Sequence, residues 1–449
     1  GFGGDHVMSG YDDALATLAL AEYYVQTGDS RAGGALPGAV ARLAASQQTL
    51  GGWDYWPTPE SNRNDTSITA WVVQALQTCA AAGVQVPASV QIRAALHFAR
   101  ATDDGIVWYA DAGEGFQLSE NFQPQYRYGP AMIACGHLSE MLLGWRESSR
   151  DIQRMRARMM RNPPSEFKAR GRDHSQLHSQ YYWYYGTVGF FQYGGEAWQR
   201  WNSALRDALL PLQEREKDKR GNKTHTFGSW PAYGPNWGKW GRLGGRVYTT
   251  AIGVLTLETY YRHKPAYLLQ PNFVRAEDWL RFVHEASERE RRYAVRACEG
   301  LRYEIGEPVL VELLRDEDGA IARDAAEALI ALESPMGRGL LEKQMETMPP
   351  WAQDRAAAMI RRADELLKLP PVEGRLMRID PVLRMAVAEM PRAYVGMPLR
   401  RANVRQGSVG GASEFRVTRR YTDHKRVLLE WVPVDGVDMP RLGDVLVSQ

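Results

Sequence analysis

A turn made of glycine and an aromatic residue recurs along the first 270 residues, each time after the polar end of a helical segment. Its copies occupy residues 51–53, 105–108 and 228–230. One segment between them carries apolar residues at the three-and-four spacing of a helix face, starting at Ile68, after Asp65 and Thr66 as natural N-cap residues. A unit of about 50 residues therefore repeats, and we predict helical hairpins that stack on one another.

The composition is that of a folded chain without a strong electric field. Hydrophobic residues make up 44% and charged residues 24% of the 449 residues, so the chain can bury a core. Lys and Arg (55) nearly balance Asp and Glu (53), for a formal charge of +2. This balance, and the lack of any run approaching roughly 18 apolar residues, predict no nucleic-acid partner and no transmembrane segment.

The cysteines and the first residue limit two other properties. Cys79, Cys135 and Cys298 are far apart and form no CxxC pair, which excludes a disulfide framework and a thiolate zinc cluster. The sequence starts at Gly1, and no signal-like segment follows it, so we expect a processed or truncated N-terminus.

The residue composition and patterning of the sequence change twice. Residues 1–270 hold most of the aromatic side chains, and residues 271–370 are rich in Ala, Leu, Arg and Glu, with a HEAT-type helix pair at 307–329. Residues 371–449 contain short alternating runs, such as 415–418 and 427–432, that are typical of strands. We predict a mainly α protein with a helical-repeat domain, a HEAT-like segment and a small antiparallel β module.

Two motifs resemble a known superfamily. Residues 48–53 (Gln-Thr-Leu-Gly-Gly-Trp) resemble the QW repeat of squalene-hopene cyclases, and residues 62–71 resemble the segment of class II terpene cyclases that carries their DxDD-T motif. Residues 245–253 are similar to the last inner helix of uncharacterised bacterial proteins of the cyclase and prenyltransferase superfamily. The resemblance covers about residues 1 to 270, implies an α/α toroid of inner and outer helices, and suggests export to the periplasm or beyond.

The acid that these cyclases use is not intact. They protonate an alkene with the middle carboxylic acid of DxDD, and Asn64 stands at that position here. Asp65 remains, but as a helix N-cap it would be stabilised in its charged form. Asp12 and Asp13 form a second carboxylate pair, preceded by Gly10 where the motif would place its first Asp. The catalytic candidates are therefore Asp12, Asp13 and Asp65.

The zinc site of protein prenyltransferases is also incomplete. Those enzymes hold zinc through an Asp, a Cys two residues later and a distant His. Asp65 matches the Asp, but Ser67 stands in place of the Cys, and residues 248–250 (Tyr-Thr-Thr) stand in place of the His. The thioester sequence of complement-like toroids is missing as well. We expect no metal and no cofactor.

Two aromatic segments are candidates for a ligand-facing wall. Residues 174–186 place two histidines at i and i+4 before five consecutive aromatic residues, and the histidines alone could also ligate a metal. Residues 228–242 form a loop rich in Gly and Trp, which could be a binding rim or a clamp between repeats. The residues that we predict to bind a ligand are Trp53, His174, His178, Tyr182, Trp183, Tyr185, Trp230, Trp237, Arg246 and Tyr248.

Three functions fit these features. The first is a binding or scaffold component with an aromatic-lined cavity, which takes an apolar isoprenoid or a glycan and contacts a protein partner or a second copy. The second is a terpene cyclase that uses one of the three aspartates and stabilises a carbocation on aromatic faces. The third is a polysaccharide lyase, for which His174, Tyr182 and Arg246 are candidates. We favour the first.

Overall fold

The structure is a computed structural model, and it divides into two compact units, Gly1–Val274 and Arg275–Gln449. It describes residues 9–56, 59, 63–112, 129–147, 149–165, 179–217, 219–232, 238–262, 274–332, 342, 345–347, 350, 353–354, 357–358, 360–361, 373–380, 385–390, 398–401, 415–420, 426–431 and 445–448.

The first unit is built from successive helices with short strands between them. The helices are α1 (Ser9–Thr27), α2 (Ser30–Ala45), α3 (Thr66–Ala81), α4 (Ala88–Ala101), α5 (Pro130–Leu142), α6 (Arg150–Arg161), α7 (Gln180–Tyr193), α8 (Gly195–Leu209), α9 (Gly238–Leu257) and α10 (Thr259–Arg262). The strands are β1 (Arg63–Asp65), β2 (Thr102–Asp103), β3 (Ile106–Val107) and β4 (Ala110–Ala112), with β1 paired to β4 and β2 paired to β3, both antiparallel.

These helices form two layers. Each odd-numbered helix from α1 to α7 packs on the next odd-numbered helix and on the even-numbered helix that follows it in the chain. The sequence explains the division, because α3 and α7 bury residues on all sides, whereas α6 buries only an apolar stripe of Ile152, Met155 and Met159. We call the row of odd-numbered helices the inner layer. Helices α2, α6 and α8 each bury one apolar stripe and expose the opposite face, and we call them outer helices, whereas α4 is buried over most of its length.

Tryptophan joins one hairpin to the next in the same way at two places. The indole Nε1 of Trp53 donates to the carbonyl oxygen of Leu43 at 2.8 Å, and that of Trp230 donates to Leu209 at 3.0 Å. Both acceptors lie at the C-terminal end of an outer helix, where carbonyl groups lack helical partners. Both tryptophans are also buried, and their backbone N–H groups donate to a threonine of the next inner helix. At these two copies of the repeated turn the tryptophan is thus a structural clamp.

The second unit combines helices with a closed sheet, and four helices lie within its described range 274–332. Its helices are α11 (Ala276–Glu285), α12 (Glu288–Gly300), α13 (Tyr303–Leu313) and α14 (Gly319–Leu332). A capping box between Ser287 and Glu290 starts α12. Gly306 lets α13 approach α12 closely, because a Cβ atom there would lie 2.4 Å from the carbonyl oxygen of Cys298.

Six antiparallel strands make the sheet of this unit. They are β5 (Glu373–Asp380), β6 (Met385–Glu389), β7 (Pro398–Arg401), β8 (Phe415–Arg420), β9 (Arg426–Trp431) and β10 (Val445–Ser448). The spatial order is β10-β5-β6-β9-β8-β7, and β10 pairs with both β5 and β7, so the sheet closes on itself. The side chains of Leu376, Ala388, Leu429 and Leu446 are buried, which gives the sheet an apolar interior.

The prediction of a mainly α protein with a small antiparallel sheet is confirmed. The toroid, the HEAT-like segment and the division into 1–270, 271–370 and 371–449 stay predictions. In the part of the chain that the structure describes, no helix is both long and apolar enough to cross a membrane.

Close packing between α7 and α8 yields a first prediction. A Cβ atom at Gly186 would lie 2.2 Å from Cζ2 of the buried Trp201, so Gly186→Ala should cost about 1–3 kcal/mol in the free energy of unfolding, measured with urea. The matched control is Gly34→Ala in α2, where nothing lies within 4 Å and alanine should stabilise the helix by up to about 1 kcal/mol. Equal stability of the two variants would contradict the described packing.

Candidate functional site

The N-terminus of α3 is held by a buried carboxylate. Asp65 is fully buried, and its Oδ1 accepts hydrogen bonds from the backbone N–H groups of Ser67 (2.9 Å) and Ile68 (3.1 Å) and from the Ser67 hydroxyl (2.5 Å). Its own N–H donates to the carbonyl oxygen of Trp53 at 2.8 Å. Hydrogen bonds of this kind and the positive end of the helix dipole stabilise a charged carboxylate.

A hydroxyl chain connects this carboxylate to α1. The Tyr11 hydroxyl lies 2.5 Å from the Ser67 hydroxyl oxygen. The Ser67 hydroxyl already donates a hydrogen bond to Asp65, so Tyr11 must be the donor in the bond between Tyr11 and Ser67. The Oη atom of Tyr11 therefore keeps its acceptor capacity for another molecule.

Close backbone contacts bring the neighbouring tyrosines to Tyr11. The N–H of Gly10 donates to the carbonyl oxygen of Tyr55 at 3.2 Å, and a Cβ atom at Gly10 would lie 2.2 Å from the carbonyl oxygen of Asp54, so only glycine fits there. Tyr109 is held by a bond of 2.9 Å from the N–H of Thr66 to its carbonyl oxygen.

We call the resulting group the tyrosine cluster. The Tyr55 and Tyr109 hydroxyls are 2.8 Å apart, the Tyr11 and Tyr55 ring centroids are 5.8 Å apart, and those of Tyr181 and Tyr185 are 5.0 Å apart. Tyr181 also lies near enough to Tyr11 and to Tyr248 for the phenols to interact electrostatically. The cluster consists of Tyr11, Tyr55, Tyr109, Tyr181, Tyr185 and Tyr248.

Three members of the tyrosine cluster are partly exposed although burial dominates their titration. Tyr11, Tyr181 and Tyr248 are half-buried, so part of their surface is reached by water. Burial nevertheless raises the pKa of each phenol, as expected for side chains deep inside the protein. We propose that these side chains face a cavity, which we call the chamber.

Apolar and aromatic groups form the wall behind the tyrosine cluster. The Trp71 ring stacks on Tyr184 with centroids 5.1 Å apart and meets the edges of Tyr181 and Tyr185 at 6.3 and 5.3 Å. Cys135 is fully buried beside Tyr181, and burial raises the pKa of its thiol, which makes it an unreactive side chain at neutral pH.

The three candidate acids lie in different surroundings. Asp12 is exposed, and Asp13 forms an ion pair of 2.9 Å with Arg42 of α2. Asp65 is in contact with the tyrosine cluster through Ser67. Asn64, at the position of the cyclase acid, is fully buried, and its Oδ1 accepts a bond from the N–H of Gly52 at 2.8 Å.

Several residues predicted to bind a ligand lie away from the chamber or are engaged elsewhere. Trp53 and Trp230 are the clamps described above. Tyr182 is buried and donates to the carbonyl oxygen of Asn162 at 2.7 Å, and Trp183 is fully buried.

The remaining predicted residues fall into three groups. Arg246 forms an ion pair of 2.9 Å with Glu214. Tyr185 and Tyr248 belong to the tyrosine cluster. His174, His178 and Trp237 lie outside the described residues. No grouping of three or more His, Cys, Asp or Glu side chains that could hold a metal ion occurs in the ranges given above.

Sequence reasoning did not select Tyr11, Tyr55, Ser67, Tyr109 and Tyr181. A signal existed for two of them, because Tyr55 and Tyr109 lie within two residues of the end of a copy of the glycine-aromatic turn. Tyr11 stands beside the aspartate pair that drew attention instead, and Tyr181 opens the aromatic run.

The chain matches no protein-family model and no curated protein sequence. The resemblance to cyclases and prenyltransferases therefore remains a proposal.

Burial of the phenols predicts a loss of stability in alkali. Burial raises the pKa of Tyr184 to about 12, above its usual value near 10, so the unfolded chain loses this proton first as the pH rises. From about pH 10 to 12 this group should lower the free energy of unfolding by about 1.4 kcal/mol per pH unit.

The variant Tyr184→Phe should reduce that slope, measured by urea unfolding at several pH values. It also loses the hydrogen bond to Gln74, which changes stability equally at every pH, so the slope is the diagnostic quantity. An unchanged slope would show that Tyr184 ionises freely in the folded protein.

Proposed function

We propose that α1 to α10 close into an α/α toroid around the chamber, and that the chain is a binding or scaffold protein rather than a cyclase. One observation argues against a cyclase. Asp65 is the candidate acid that contacts the tyrosine cluster, and its Oδ1 accepts three hydrogen bonds from the first turn of α3. A proton donor must be un-ionised, whereas these bonds favour the carboxylate.

Ring closure is supported by contacts between distant helices. Arg262 of α10 forms a two-pronged ion pair with Glu22 of α1, with N–O distances of 2.6 to 2.9 Å, and the two residues are 240 positions apart. Both side chains are mostly buried. Tyr184 of α7 also donates to Oε1 of Gln74 in α3 at 3.1 Å, across the inner layer. Such contacts between early and late helices are expected of a ring.

The hydrogen bonds of the turn at residues 48–53 support its resemblance to a QW repeat. Gln48 and Trp53 both take part in the turn, since the Gln48 N–H donates to the carbonyl oxygen of Gly52 at 2.9 Å and Trp53 clamps the outer helix α2. This arrangement supports a QW-like stacking function for the tryptophans. We therefore propose that a ligand contacts the tyrosine cluster and not these tryptophans.

Cyclisation is the second candidate, favoured by the hydroxyl chain Tyr11–Ser67–Asp65, which reaches from a carboxyl group to the chamber. For polysaccharide cleavage the described residues offer no comparable observation, because Tyr182 and Arg246 are bonded to Asn162 and Glu214, and His174 lies outside them. As a scaffold, the protein would present its surfaces to a protein partner or a second copy.

Incubation with squalene or geranylgeranyl diphosphate distinguishes the two candidates. We expect squalene to bind, measured by equilibrium dialysis, and no cyclic product to form, measured by gas chromatography and mass spectrometry. Tyr181→Ala and Tyr248→Ala should each weaken squalene binding by about tenfold or more, because each removes a ring from the chamber wall.

Tyr261→Ala is the matched control, since Tyr261 is 87% exposed and should leave binding unchanged. Formation of a cyclic product that Asp65→Asn abolishes would replace binding by cyclisation. Failure of squalene and geranylgeranyl diphosphate to bind at all would contradict both candidates.

A further inference from the structure

We propose that helix α6 is a docking surface for an acidic segment of a protein partner. The residues that would bind this segment are Arg150, Arg154 and Arg158, which we call the arginine row. None of them belongs to the tyrosine cluster. The inference rests on the scaffold part of the proposed function, names its partner by chemical class, and does not require a ligand in the chamber.

The arginine row lies on the exposed face of α6. Residues four positions apart in a helix lie above one another on one face, so the three positions form a line whose ends are roughly 12 Å apart. The apolar stripe of α6 is buried, which turns the arginines outward. Their side chains keep 74%, 40% and 36% of their surface exposed, in chain order.

A single carboxylate serves all three arginines of the row. Asp104, in the turn between β2 and β3, accepts a hydrogen bond from Nη2 of Arg150 at 3.1 Å and forms an ion pair with Arg154. Its second carboxylate oxygen lies 3.8 Å from Nη2 of Arg158. Among the described residues Asp104 is the only carboxylate within ion-pair distance of the row, so three guanidinium charges face one negative charge. Each guanidinium has five N–H donors, and one carboxylate can engage only a fraction of them.

Anchoring of the turn does not account for three arginines. The N–H of Gly105 donates to Oδ1 of Asp151 at 2.9 Å, and a Cβ atom at Gly105 would lie 2.5 Å from Cβ of Arg154, so backbone contacts already hold the turn on α6. One arginine would be enough to pair Asp104. Like charges four residues apart destabilise a helix, and a second acidic group bound to the row would reduce that repulsion.

The row favours carboxylates carried by a peptide. The planar fork of arginine matches a carboxylate, and Asp104 already occupies the row in this way. A helix with Glu or Asp at every fourth position repeats the roughly 6 Å step of the row. A membrane surface fits less well, because the apolar stripe of α6 is buried inside the protein and cannot enter a bilayer. The formal charge of +2 also gives the whole chain little attraction for nucleic acid.

The test measures binding of a fluorescent peptide of about twenty glutamates by anisotropy, in about 50 mM salt where charges are weakly screened. We expect the peptide to bind, and Arg150→Glu to weaken binding by about fivefold or more. Arg281→Glu in α11 is the matched control, because it changes the net charge equally and its side chain is also 74% exposed. It should change the affinity by less than about twofold. Circular dichroism establishes that each variant is folded.

Asp104→Asn provides a second variant with the opposite expected effect. The backbone of Asp104 has a φ of 53°, which asparagine tolerates as well as aspartate, so the turn is kept. The substitution removes the carboxylate that competes for the row. We expect the glutamate peptide to bind about threefold tighter. An arginine row that serves only to hold the turn predicts no change.

Other results would overturn the inference. They are a glutamate peptide that does not bind, equal weakening by Arg150→Glu and Arg281→Glu, and an unchanged affinity in Asp104→Asn. Tighter binding of an oligodeoxythymidylate of the same length, or of vesicles of phosphatidylcholine and phosphatidylserine, would assign the row to phosphate groups instead. Squalene binding should be the same in Arg150→Glu as in the unaltered protein, so failure of the peptide leaves the proposal for the chamber standing.

Discussion

The bonds that Asp65 makes at the start of α3 are the interaction on which the rest of the first unit depends. The carboxylate caps α3, the backbone of the same residue is bonded to the Trp53 clamp, and Ser67 passes the connection on to Tyr11 of α1. One buried charge thus fixes a helix start, a repeat junction and the orientation of a chamber hydroxyl. Its burial is tolerated because several donors surround it.

Much of the local structure could be predicted from the sequence. The stripe that begins at Ile68 and the N-cap at Asp65 are confirmed, because helix periodicity and capping depend only on neighbouring residues. The strands expected at 415–418 and 427–432 are likewise present as β8 and β9. Closure of the sheet was beyond such reasoning, since it depends on β10 pairing with two strands that are distant in the chain.

The chamber was only partly predictable for the same physical reason. Its tyrosines come from α1, from two turns, from α7 and from α9, and no spacing in the sequence connects these positions. The aromatic run in α7 identified the right helix, but helical geometry turns Tyr182 outward to Asn162 while Tyr181 and Tyr185 meet.

The free energy of unfolding of Asp65→Ala, measured with urea at pH 7, tests this account most directly. A cap that also holds Ser67 and Tyr11 predicts a loss of at least about 2 kcal/mol, with a smaller loss in Asp65→Asn because asparagine is also a good cap. A strained catalytic acid behaves in the opposite way, since its removal commonly stabilises a protein. An unchanged or increased stability of Asp65→Ala would contradict the account.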